Sequence, residues 1–169
     1  MLLRYLKIDF VVLIALLCLF YAGQNVANLS ACYDSFAYVL GSSDHVVYPN
    51  SFFPAIESTF IIWAVLVVVV GLEFVAGLFA AKGAWDMWGA RKSSATEFSA
   101  SKTNALVGCG LGIIVWLGFF GVFGGALFQM WQTEVGTNSM NGAFQFFLSC
   151  AAVFLITNSE DSEIAITAG

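Results

Sequence analysis

Residues 58–81 read STFIIWAVLVVVVGLEFVAGLFAA, an unbroken apolar run whose one ionisable side chain is Glu73. About 20 such residues suffice for a helix to cross the hydrocarbon core of a bilayer. Lipid cannot satisfy open backbone groups, so a segment of this kind crosses as a helix. Working outward, three more stretches qualify: Ile8 to Ala27, Thr103 to Phe128, and the shorter Asn141 to Thr157. The chain is 60% hydrophobic and 10% charged, against roughly 25% charged for soluble domains. The sequence therefore predicts an all-α membrane protein, a bundle of four transmembrane helices. One domain covers residues 1–158, with spans at 8–27, 58–81, 103–128 and 141–157, and residues 159–169 follow as an acidic cytoplasmic tail.

The cations set the orientation. All six lysines and arginines, Arg4, Lys7, Lys82, Arg91, Lys92 and Lys102, precede the first span or lie between the second and third. By the positive-inside rule the N-terminus and the middle loop are cytoplasmic, and four spans return the C-terminus to the same side. Arg4 and Lys7 ahead of an apolar run resemble a signal peptide. However, the uncharged stretch from Phe10 to Tyr33 is too long for an h-region, which predicts a retained helix.

The outer loop from Asn28 to Glu57 is the largest soluble piece. Its Leu29, Cys32, Tyr33, Phe36, Val39 and Leu40 recur at helical spacing. They predict a short amphipathic helix on the outer membrane surface or capping the bundle. Aromatic residues gather at the boundaries: Tyr21, Tyr48, Phe52, Phe53, Phe128 and Trp131 outside, Tyr5, Trp85 and Trp88 inside. The tail residues Glu160, Asp161, Ser162 and Glu163 read as solvated and mobile, pairing loosely with Arg91 and Lys92.

Glu73 is the most informative single residue. It lies about 12 Å along the helix from Ala81. A charge at such depth costs on the order of 3 kcal/mol, so it faces the bundle interior. Gly77 and Ala80 share its face. Depth matching predicts a partner in Ser149 on the fourth span, or a backbone group bared by the glycines of the third. Such a pair is a polar clasp fixing helix register, or else a step in a proton or ion relay. On the third span, Gly110, Gly118, Gly121, Gly124 and Gly125 fall within one arc of a 3.6-residue wheel of about 120°. Gly108 and Gly112 make a second small patch. Such faces suit close helix packing, within the chain or against another subunit. At the outer end, Gln24, Asn25 and Asn28 with Gln129, Trp131 and Gln132 form a polar cluster, an interfacial hydrogen-bonding ring or a small docking site.

Much is excluded. The net charge of −5 offers no basic face for nucleic acid. The four cysteines contain no CxxC pair, and three of them sit in apolar runs as small hydrophobes. His45 stands alone, so neither a metal site nor a haem is predicted, and no cofactor. No P-loop, nucleophile elbow, HExxH or dinucleotide fingerprint occurs, which predicts a non-enzyme.

The run Tyr48-Pro49-Asn50-Ser51, the segment from Gly83 to Arg91, and Phe128-Gln129-Met130-Trp131-Gln132 followed by Asn141-Gly142-Ala143-Phe144 resemble an uncharacterised bacterial family of predicted small integral membrane proteins. The resemblance reaches to about Asp161, and Ile164 to Gly169 are less typical of it. It implies four spans in a bacterial inner membrane and carries no assigned activity. The expected partners are the bilayer and other membrane subunits or a second copy. The first functional expectation is an accessory or assembly subunit of a larger complex, respiratory or transport. The second is a small oligomeric transporter or channel with Glu73 in the path. The third, an intramembrane or quinone-handling enzyme, needs paired acid–base groups that the spans do not supply.

Overall fold

The computed structural model describes residues 1–51 and 53–162. Phe52 of the outer belt and residues 163–169 of the tail lie outside the described residues. Helix α1 covers Leu2–Ala27, α2 Leu29–Leu40, α3 Thr59–Ala90, α4 Ala95–Ala100 and α5 Thr103–Ile113. A π-helical segment continues α5 over Ile114–Leu127, and a 3-10 turn, Met130–Gln132, leads into α6, Glu134–Asn158. Among the described residues there is no strand. Among the described residues four helical stretches are long and apolar enough to cross a membrane: Leu2–Ala27, Thr59–Ala90, Ala95–Leu127 and Glu134–Asn158.

The helices outrun their apolar cores. Helix α3 continues past Ala81 to Ala90, supported by an i,i+4 ion pair between Lys82 and Asp86. The Arg91 side chain donates to the Trp88 carbonyl (2.6 Å) and lies over the Trp88 ring. At the same level Tyr5 meets Trp88 edge-on at 5.9 Å between centroids. A capping box joins Ser94 and Glu97 at the start of α4, so the connection to the third span is itself ordered.

The core is a seam of small residues. Ala76, Ala80, Gly83, Ala84 and Met87 of α3 are buried, as are Ala105, Gly108, Cys109 and Gly112 of α5. A Cβ built on Gly108 would stand 2.8 Å from the Ala76 carbonyl oxygen, so only hydrogen fits there. Without a hydrophobic drive between helices in lipid, this close approach supplies the packing. Gly77 lies against α1, its Cβ position 2.6 Å from Leu19 Cγ. Helix α6 presents Gly136, Ala143, Cys150 and Thr157, each seven residues from the next, as its buried seam. Cys18, Cys109 and Cys150 are fully buried free thiols from three helices.

Helix α2 forms where its periodicity placed it and leans on the first half of α3. Tyr33 stacks on Trp63 at 4.9 Å, and Leu40 is buried beside Ile62 and Phe128. One expectation needs correction. The glycine arc of the third span dissolves. A π-helical turn takes more residues than the wheel assumed, so residues that share an α-helical face no longer do. Gly125 faces Met140 (2.9 Å from its Cβ position to Cε) and Gly124 is buried beside Met130. Gly110 has no neighbour within 4 Å, and Gly118 and Gly121 meet only atoms of their own helix.

Candidate functional site

Glu73 is 2% exposed in the interior of the bundle. Its Oε2 accepts a hydrogen bond from Asn25 Nδ2 at 2.9 Å. Asn25 lies on the last turn of α1, which the single residue Asn28 separates from α2. The carboxyl therefore fastens α1 to α3 beneath α2. The expected contact with Ser149 does not form. Ser149 is exposed on α6, and its hydroxyl donates to the Gln145 carbonyl of its own helix at 2.9 Å. The glycines of the third span do not supply a partner either. Glu73→Gln keeps the size and adds a donor, so the bundle should remain folded by circular dichroism, with a change in thermal midpoint that reads the clasp alone.

The outer polar cluster divides. Gln132 Oε1 accepts from the backbone N–H of Val47 (2.9 Å) and Tyr48 (2.7 Å), and its amide donates to Tyr48 O (3.2 Å) and Gln129 Oε1 (2.7 Å). Trp131 meets Tyr48 edge-on at 5.3 Å. Gln129, with φ 53°, turns the chain in the left-handed region to make this clamp possible. Asn25 has gone to Glu73, and Asn28 donates back to the Gln24 carbonyl (2.9 Å). Gln24, Asn25 and Asn28 thus do not join the clamp. Beneath it, α2, α3 and the π-helical segment enclose an apolar cavity of about 100 Å³, lined by Phe36, Val69, Phe119, Phe123 and Met130 among others.

The opposite end holds a polar centre that sequence reasoning missed. Arg4, Lys7 and Lys102 are 2%, 5% and 2% exposed. Lys7 Nζ reaches Asp161 Oδ1 at 3.0 Å, and Lys102 pairs with Asp161 Oδ2. Both lysines also donate to the Ser159 carbonyl at 2.8 Å. Arg4 donates to the carbonyls of Ser93 (2.6 Å), Arg91 (3.2 Å) and Ser162 (3.3 Å), with its guanidinium 4.7 Å from the Phe98 ring centroid. Helices α3 and α6 both end here, and buried cations suit the free carbonyls at helix C-termini. Burial alone would raise the Asp161 pKa. The ammonium groups of Lys102 and Lys7 outweigh it and hold the carboxyl below its ordinary range. Asp161 is therefore docked, while Ser159, Glu160 and Ser162 stay exposed, and Asp161 pairs with Lys7 and Lys102, not with Arg91 and Lys92. A signal was present: Lys7 and Lys102 stand at the starts of spans and Asp161 just past the end of one, which an up-and-down bundle brings to one level.

Fold and polar anatomy together define a small multi-pass integral membrane protein. Over residues 3–160 the chain matches the family described as predicted small integral membrane protein (DUF2165), and it belongs to that family. No curated protein and no solved structure matches it.

Proposed function

We propose that this protein works by association, as a non-enzymatic accessory or assembly subunit of a larger complex, respiratory or transport, in a bacterial inner membrane with both termini cytoplasmic. The observation that carries this is the notch at Gly110. Apart from the backbone of its own helix, no atom stands within 4 Å of the Cβ position of half-buried Gly110, while Val107 and Ile114 beside it are exposed. Elsewhere in the bundle such glycines admit a neighbouring helix, and a small residue facing outward between bulky ones fits a helix of another protein. Gentle detergent extraction with mass spectrometry tests it. A defined set of membrane proteins should co-purify and be lost with Gly110→Leu, whose fold should stay intact by circular dichroism. A protein that always runs alone, or partners indifferent to Gly110→Leu, contradicts it.

A second reading has one observation in its favour, a buried carboxyl within a span. Glu73 would then lie in a proton or ion path of an oligomer. Flux into liposomes should be present and fall at least about tenfold with Glu73→Gln, as expected when a single relay group is removed. Absent flux, or flux unchanged in the variant, removes that reading.

A further inference from the structure

Four of the six cations have partners inside the fold. Arg4, Lys7 and Lys102 are buried in the polar centre, and Lys82 pairs with Asp86. Arg91 and Lys92 are left, and neither forms an ion pair among the described residues. Lys92 is exposed, and half-buried Arg91 holds its guanidinium 4.3 Å from the Trp88 ring centroid. The same Trp88 lines one end of an apolar groove of about 380 Å³ between α1 and α3. The groove follows α1 from Ile8 to Leu19 and α3 from Ala81 to Trp88. That stretch of α1 is about 17 Å long, close to half of the roughly 30 Å hydrocarbon core, so the groove is one leaflet deep. At its basic end Tyr5 of α1 meets Trp88 edge-on, and the ring pair bridges the two walls. Trp85 and Trp88 are 74% and 46% exposed there. Indole rings of this kind mark the level of the lipid headgroups.

We infer that the groove holds one anionic phospholipid of the adjoining leaflet, with an acyl chain along α1 and α3 and the phosphate on Arg91 and Lys92. A spanning helix of another protein has to continue past the headgroups, and the Tyr5–Trp88 bridge stands in its way. A lipid tail ends at that level in its own headgroup. The groove is no more apolar than the surrounding lipid, so the tail gains little by entering it. Selection therefore rests on the head. Two cations without an acid partner, beside a groove between two spans, favour an anionic head over a zwitterionic one. Arg91 uses one N–H on the Trp88 carbonyl, which leaves the rest of its donors for phosphate oxygens. One charge opposes them: exposed Asp9 lies a turn along α1 from Tyr5. The site shares no residue with the Gly110 notch and stands whether or not the protein serves a larger complex.

Native mass spectrometry of the full-length chain in mild detergent, with equal phosphatidylglycerol and phosphatidylcholine, reads this selection. One phosphatidylglycerol should remain per chain, preferred about 25-fold, at about fivefold for each cation near the surface, equivalent to about 1 kcal/mol each. Lys92→Gln should reduce the preference to about fivefold, and Arg91→Gln with Lys92→Gln should abolish it. Asp9→Asn should raise it. Ala81→Phe, which fills the groove from an exposed position, should lower retention of both lipids. Circular dichroism should match the parent in every variant, because none of these side chains is buried. Equal retention of the two lipids by the parent, a preference unmoved by the double substitution or lowered by Asp9→Asn, or unchanged retention in Ala81→Phe would each overturn the assignment. So would a co-purifying polypeptide that Ala81→Phe displaces in place of lipid.

Discussion

Replacing Asp161 by Ala should destabilise the bundle by about 3 kcal/mol, the lower end of the range for stripping one partner from a buried ion cluster. The lower end applies because the cluster sits at the end of the bundle, where water and headgroups are near. Asp161 answers both Lys7 and Lys102, each almost wholly buried, so its removal leaves two ammonium groups with only the Ser159 and Glu160 carbonyls. It also frees the segment that holds α6 against α1 and α5. Thermal unfolding in mild detergent, followed by circular dichroism, should show a markedly lower midpoint and earlier proteolysis after Asn158. Replacing all three groups, with Lys7→Met, Lys102→Met and Asp161→Leu, should cost less than Asp161→Ala alone, because no charge is then stranded. The pH dependence has a fixed sign. The folded pKa of Asp161 is depressed, so its contribution is complete above the ordinary carboxylate value of about 3.9. It is lost as pH falls through the lower folded value.

The second large effect is steric. Gly108→Leu should cost more than about 3 kcal/mol, beyond the usual range for an overpacked core, because the new Cβ meets backbone and not a flexible side chain. The neighbours are the Ala76 carbonyl and the Ala80 main chain, so α3 and α5 must separate along their whole seam. Gly110→Leu, two residues away, meets nothing and exchanges glycine for a good helix former, which is worth up to about 1 kcal/mol in its favour. Comparison of the two midpoints separates a packing glycine from one that faces outward. Equal loss in both variants would mean that the third span is not oriented as described.

What could be read from the residues follows from which physical rule governed each one. Apolar run length and the six cations gave four spans and one basic end, because both are properties of composition along a line. Glu73 was recognised as buried for the same reason. Its partner was not, because matching depth says nothing about azimuth: Ser149 has a suitable level but points away from the bundle, while Asn25 is brought beside α3 by the near-continuity of α1 and α2. The glycine arc failed because a wheel presumes 3.6 residues per turn and the segment from Ile114 winds as a π-helix. The Asp161 cluster escaped notice because an acidic tail after a last span usually is solvated. Here two buried lysines from neighbouring spans and two helix C-termini converge on it.

Everything described depends on the Asn28–Glu57 loop and the Arg91–Lys92 turn lying on opposite faces of a bilayer. Cysteine placed at Asn50 or at Lys92, both exposed, reports this directly when Cys32 is replaced by Ser. With a membrane-impermeant maleimide on intact cells, Asn50→Cys should label and Lys92→Cys should label only after permeabilisation. Labelling of both sites from one side, or recovery of the chain in water without detergent, would contradict the four-span bundle.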